Sequence, residues 1–186
     1  MSKLTFLSSL LAMSLLFSAC SNDDATSEEA NSILSTNEFV LTGLDKKQYI
    51  LNKNPTGFNV KGAEGKVIIL DIFTTWCPPC QAEASHLTSL QEKYKDSLLI
   101  LGVTVENNLK NEALQAFRKK YTADYPLVNS NENSRLIDAI ALQLDVGNNF
   151  GIPLMAMYKN GLLINFYQGA VEEEFVESDI KKALGL

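Results

Sequence analysis

Val67-Ile68-Ile69-Leu70-Asp71-Ile72-Phe73-Thr74-Thr75-Trp76-Cys77-Pro78-Pro79-Cys80 is the stretch that decides how this chain is read. Its first seven residues form an apolar run interrupted by one acid, the pattern of a strand buried on both faces. A helix is predicted from about Pro78 to Tyr94, with Leu87, Leu90 and Tyr94 facing inward. A cysteine at a helix N-terminus feels the positive end of the macrodipole and unpaired backbone N–H groups, which favour thiolate over thiol. Two intervening residues let the next turn bring a second sulfur within disulfide reach. Pro78 and Pro79 suit the first helical positions, where a missing N–H is no loss. Cys77 then reads as the exposed attacking thiolate and Cys80 as the resolving thiol. Half a zinc site and a static staple are the alternatives. Zinc needs two more ligands, for which only His86 and carboxylates are at hand, and a bridge across two residues closes too small a loop to stabilise much.

Outward from this centre, Phe39–Leu41 and Tyr49–Leu51 read as a short hairpin across Asp45-Lys46-Lys47. Pro55, Gly57, Gly62 and Gly65 mark an irregular loop. After the helix come a second buried strand over Leu98–Val105 and a helix over Asn111–Lys120 with Leu114 and Phe117 inward. A short strand over Tyr125–Val128 and a helix over Asn133–Leu144 follow. Pro153–Tyr158 and Leu162–Tyr167 flank the tight turn Lys159-Asn160-Gly161. A closing helix over Glu172–Leu184 carries Phe175, Val176 and Ile180. The fold class is α/β, a central mixed sheet flanked by helices on both faces.

The whole chain has 186 residues, 46% of them apolar, with 16 Lys and Arg against 22 Asp and Glu and a net charge of −6. That length suits one domain with extensions. The acidic balance argues against a general nucleic-acid-binding surface. The third cysteine, Cys20, stands apart. A short basic start at Lys3, an apolar run to Phe17 and small residues at Ser18-Ala19 have the form of an export signal, too short and serine-broken for a membrane span. Leu16-Phe17-Ser18-Ala19-Cys20 resembles a bacterial lipobox, which implies lipidation of Cys20 as the first mature residue. A plain signal cut near Ala19 is the alternative. Loss of residues 1–19 removes Lys3 alone and moves the net charge to −7. Ser21 to Thr36, with four acids and no base, reads as a flexible tether. The expected organisation is a lipoprotein-type signal over 1–19, a lipid-anchored tether over 20–36 and one globular domain over 37–186.

Ile69-Leu70-Asp71-Ile72-Phe73-Thr74-Thr75-Trp76-Cys77, together with Gly151-Ile152-Pro153, Tyr158-Lys159-Asn160-Gly161 and Gly169-Ala170, resembles the thioredoxin superfamily from about Phe39 to the C-terminus. The export signal, the N-terminal hairpin and the insertion between Tyr121 and Gly151 narrow the likeness to the TlpA/ResA-like branch of membrane-tethered thiol–disulfide oxidoreductases. The resemblance implies a thioredoxin fold with Pro153 as a cis-proline, and the Ile152 backbone as the docking edge for an extended substrate. Sequence alone would favour a trans proline. Trp76, Pro78 and Pro79 would complete the contact surface, although a core tryptophan is the plain alternative for Trp76.

Two acids enter the site by position. Asp71 inside an apolar strand is expected to be buried and to hold its proton near neutrality. It lies six residues before Cys77, where thioredoxins place an aspartate that assists the resolving thiol; a local pairing with Lys66 is the alternative. Glu83 shares the helical face of Cys80 at i, i+3, as in the TlpA/ResA-like branch, and could exchange a proton with it or simply favour the macrodipole. His86 reads as a helix-surface residue, with a ligand role as the alternative. No cofactor is expected beyond the Cys77–Cys80 pair. The function implied is extracytoplasmic reduction of protein disulfides, with a membrane thiol–disulfide electron donor and disulfide-containing exported proteins, apocytochrome c among them, as partners. Oxidation or isomerisation of exported proteins, and a copper or zinc carrier using Cys77, Cys80 and His86, are the rival readings.

Overall fold

The computed structural model describes residues 37–186; the signal segment, Cys20 and the tether fall outside the described residues. Five strands make the central sheet, in the order β6-β5-β4-β7-β8. They are β4 (Val67–Phe73), β5 (Leu98–Thr104), β6 (Leu127–Val128), β7 (Leu154–Lys159) and β8 (Leu162–Gln168). β4 pairs in parallel with β5, and β5 with β6, whereas β7 runs antiparallel to both β4 and β8. The sheet is therefore mixed, with β4 at its centre. All seven residues of β4 are buried, as its continuous apolar sequence requires.

Alternation along β4 sends its side chains to two separate cores. Ile68, Leu70 and Ile72 join Leu101, Val103, Leu154, Ala156 and Tyr158 on one face. That face is covered by α3 (Asn133–Leu144) and a small antiparallel sheet of β1 (Glu38–Thr42), β2 (Gln48–Asn54) and β3 (Gly57–Val60). Val67, Ile69 and Phe73 face the other way, against α1 (Pro78–Lys93), α2 (Asn111–Tyr121) and α4 (Glu173–Leu184). Helices thus lie on both faces.

The small sheet has three strands where a hairpin and loop were expected. Asn54 Oδ1 accepts from the Thr56 and Gly57 N–H groups at 2.8 and 2.9 Å and turns the chain through Pro55. The chain then re-enters as β3, with Phe58 and Val60 buried. Only two apolar side chains mark this strand, and the glycine and proline around it mask them. β1 ends on the edge of the central sheet: Leu44 N–H donates to Leu127 O at 3.0 Å and Asn129 N–H to Thr42 O at 3.1 Å. In α4, Val176 and Ile180 are buried but Phe175 is 63% exposed, so it is not part of the core. Asn160 and Gly161, with φ of 50° and 76°, make the tight β7–β8 turn in the left-handed region that this pair adopts readily.

Candidate active site

The C-terminal end of β4 delivers the chain directly to the redox pair. Cys77 is the N-cap of α1, in extended backbone (φ −77°, ψ 114°), with Pro78 and Pro79 in the first two helical positions. Cys77 and Cys80 are joined as a disulfide, their Cα atoms 5.3 Å apart. The two prolines have no N–H, so Cys80 N–H is the first amide of the helix able to face the cap, and it lies 3.3 Å from Cys77 Sγ. A Cys77 thiolate would meet one aimed amide there, fewer than an ordinary helix start provides.

Ile152 and Pro153 are joined by a cis peptide at the start of β7. Cys77 Sγ lies 3.8 Å from Ile152 O, which brings the redox pair and the edge before Pro153 into one site. Cys77 is only 3% exposed, against the sequence expectation of an exposed thiol. It is enclosed as part of the disulfide, while its sequence neighbours Trp76, Pro78 and Pro79 are exposed. Trp76 itself is 67% exposed, so it is a surface side chain and not a core tryptophan. It borders a groove of about 380 Å³ lined by Thr74, Val105, Ile137, Phe150 and Ile152 among others. The α3 insertion forms the far wall.

Behind the disulfide lie the two acids. Asp71 and Glu83 are buried, at 2% and 6% exposure. Burial pushes both carboxyls well above their ordinary values, and for Glu83 the charge on Asp71 adds to the rise. Asp71 does not pair with Lys66, whose ammonium donates to Lys95 O. Its Oδ2 instead accepts from the Tyr125 hydroxyl at 3.1 Å, while Oδ1 and both Glu83 oxygens have no partner. The buried setting of Glu83 disfavours a purely macrodipole role for it, since a solvated acid would serve that purpose at no desolvation cost.

Sequence reasoning missed three side chains. Tyr125 is fully enclosed in the core facing α1. Glu106, just beyond β5, accepts from Thr75 N–H at 2.6 Å and from Thr75 Oγ1 at 3.0 Å. Gln81 Nε2 donates to Thr75 O at 2.8 Å, so the residue before Trp76 is held on both sides. Tyr125 and Glu106 act across 54 and 31 positions, gaps that carry no local signal, whereas Gln81 bonds Thr75 six residues away. His86 lies on the exposed face of α1. Among the described residues no group of three or more His, Cys, Asp or Glu side chains is arranged to hold a metal ion.

The Redoxin family model matches residues 35–184. The chain belongs to the Redoxin family. Thiol-disulfide oxidoreductase ResA of Bacillus thuringiensis subsp. konkukian is 26% identical over 148 residues, which cover 77% of this chain and 73% of that protein. Thioredoxin-like protein YneN of Bacillus subtilis is 31% identical over 71 residues, 38% of this chain and 42% of the relative. The chain thus spans less than half the length of that relative. Among solved structures, a thiol:disulfide interchange protein of the thioredoxin family from Chlorobium tepidum TLS superposes with a TM-score of 0.64. It is 23% identical, over 80% of this chain and 94% of the other. StoA from Bacillus subtilis superposes with a TM-score of 0.53 and 19% identity, over 76% and 95%. The fold is the thioredoxin fold, and this Redoxin chain, similar to ResA over 77% of its length, carries a Cys77–Cys80 disulfide centre suited to thiol–disulfide exchange.

Proposed function

We propose that this Redoxin protein is a thiol–disulfide oxidoreductase that reduces disulfides of exported polypeptides. The observation that carries the proposal is the Cys77–Cys80 disulfide at the N-cap of α1, 3.8 Å from the carbonyl that precedes a cis proline, with two buried acids behind it. In the dithiol form, the Cys77 thiolate attacks one sulfur of a substrate disulfide, and the other substrate sulfur leaves as a thiolate. Cys80 then gives its proton to the acid pair. Its thiolate attacks Cys77 Sγ, and the second substrate sulfur departs with the electron pair of the mixed disulfide. Two electrons pass to the substrate, and a dithiol donor at the membrane returns them. An extended substrate segment runs along the Ile152 backbone with Trp76, Pro78, Pro79 and Pro153 around it.

The N-terminal sequence supports an extracytoplasmic setting with a lipid on Cys20, facing the periplasm or outer side of a bacterial envelope. No helix among the described residues is long and apolar enough to cross a membrane. Apocytochrome c is a substrate candidate through the likeness to ResA alone.

The test is a disulfide-reduction assay with the purified protein and its Cys77→Ser variant, alongside the reduction potential of the pair. Loss of at least about a thousandfold in Cys77→Ser is expected, because a serine hydroxyl is not ionised near neutrality and forms no mixed disulfide. Full activity in that variant would sink the mechanism. A potential near about −120 mV, that of a strong oxidant such as DsbA, would replace reduction with oxidation or isomerisation of exported proteins.

A further inference from the structure

Asp71 and Glu83 are bound differently, and the difference traces to a glycine. Gly102 of β5 stands beside Asp71 in the parallel register of β4 and β5. A Cβ on Gly102 would come within 2.9 Å of Tyr125 Cε2 and 2.7 Å of Leu127 Cδ2. The absence of that atom lets the Tyr125 ring lie against β5 and set its hydroxyl 3.1 Å from Asp71 Oδ2. Glu83, one turn into α1, receives no such bond on either oxygen.

We propose that Tyr125, seated in the space that Gly102 leaves, is a positioning residue of the redox centre that assigns the single negative charge of the Asp71–Glu83 pair to Asp71 and leaves Glu83 as its protonated member. This rests on the reading of Cys77 and Cys80 as a working dithiol pair. The groups that face one another here are Asp71 from β4, Glu83 and the two cysteines from α1, and Tyr125 from the chain leading into β6. The buried polar and charged side chains among the described residues include no Lys, Arg or His, so no cation offsets a second charge. Two carboxylates enclosed together do not both ionise near neutrality. An O–H donor bonds an ionised carboxylate about twice as strongly as a neutral one, and only Asp71 has that donor. Tyr125 keeps its own proton, since burial and the neighbouring acid drive its phenol far above the ordinary value.

The assignment gives each acid a different task. As Cys80 resolves the mixed disulfide, its S–H bond breaks, an Asp71 O–H bond forms, and the negative charge moves from Asp71 to the Cys80 sulfur. That sulfur then donates its electron pair to Cys77 Sγ as the substrate sulfur leaves. Glu83, still protonated on the Cys80 face of α1, keeps an O–H in the pocket throughout.

The experiment is a carboxyl carbon NMR titration of the oxidised protein, in which the cysteines do not titrate and no turnover is needed. In the wild type, Asp71 is expected to show the lower of the two carboxyl steps. In Tyr125→Phe, its step should rise by about one pH unit, a tenfold gain in proton affinity, while the Glu83 step falls. The pH profile of the resolving step in turnover should shift the same way. Unmoved steps in a folded Tyr125→Phe protein would overturn the assignment. So would a wild type in which Glu83 takes the lower step, a result that does not depend on the variant folding. A protein inactive in disulfide reduction but titrating in the expected order would instead remove the proposed function and leave this charge assignment in place.

Discussion

The two faces of β4 use one strand in opposite ways. Ile68, Leu70 and Ile72 enter a core of aliphatic and aromatic side chains, in which Phe58 packs on Phe39 and Tyr158 with ring centroids 5.9 and 5.5 Å apart. Asn133, buried on that side, is satisfied: its amide donates to Thr104 O at 3.0 Å and Val128 O at 3.2 Å. The opposite face carries Asp71 among Val67, Ile69 and Phe73, with Glu83 beside it and three carboxylate oxygens left without partners. Asn133 is paired, whereas three of the four carboxylate oxygens of Asp71 and Glu83, together with Thr74 Oγ1 just beyond the end of β4, are not. The difference separates what holds β4 in place from what works at its end.

The sharpest way to test that separation is to damage the satisfied face. Phe58 is fully buried between two rings. Phe58→Ala is expected to lower the unfolding free energy by about 3–5 kcal/mol, read from urea denaturation. The folded fraction should reduce a disulfide substrate within about twofold of the wild-type rate. A loss of activity matching the loss of stability under conditions where the variant is fully folded would show that the two faces are not independent.

The opposite face should respond with the opposite sign. Asp71 and Glu83 have ordinary values of 3.8 and 4.5, and both are raised by burial. The native state therefore binds more protons than the unfolded one above about pH 4. Stability from this source is full below the ordinary carboxyl range and declines as pH rises towards the raised values. Asp71→Asn or Glu83→Gln replaces a buried titrating carboxyl by an amide that does not titrate. Each should stabilise the oxidised protein at pH 8, by an amount on the order of 2–4 kcal/mol at most, with little change at pH 4. Thermal unfolding at the two pH values checks this, and stabilisation that is equal at both would disprove the linkage. The same variants should slow resolution of the mixed disulfide, an exchange of function for stability of a kind common at active sites.

Much of this arrangement is legible in the sequence because it is local. The apolar run, the acid within it and the Cys-x-x-Cys helix start lie within fourteen consecutive residues; the run places Asp71 indoors, while helical spacing gives Glu83 only the face it shares with Cys80. Pro153 needed more. Its cis peptide has no local signature, and the expectation came from family resemblance. Tyr125, Gly102 and Glu106 were not legible. Tyr125 meets Asp71 across 54 positions, and Glu106 meets Thr75 across 31. A glycine within a strand reads as a weak position until the ring that fills its space is seen. Cys77 was placed correctly along the chain but misjudged in exposure, because helix position does not report how neighbouring side chains cover the N-cap residue.

Glu106 belongs to neither face, and the smallest predicted effect is the one that locates its influence. Its carboxylate accepts two bonds from Thr75, and Gln81 holds the carbonyl of that residue. The next side chain is the exposed Trp76 and the one after it is Cys77. Glu106→Gln keeps an oxygen for the Thr75 N–H and offers an amide N–H to its hydroxyl, so both partners remain satisfied. Activity should stay within about twofold. Glu106→Ala leaves the Thr75 amide without its partner, at a cost of about 1–3 kcal/mol, and frees the turn that carries Trp76. If the clasp acts through Trp76, KM for a folded protein substrate rises by roughly fivefold, a fraction of that bond energy, while the rate with a small disulfide that cannot reach the groove is unchanged. Equal losses with both substrates would mean that Glu106 positions Cys77 itself, and that the strand-end clasp is part of the redox face and not of the docking surface.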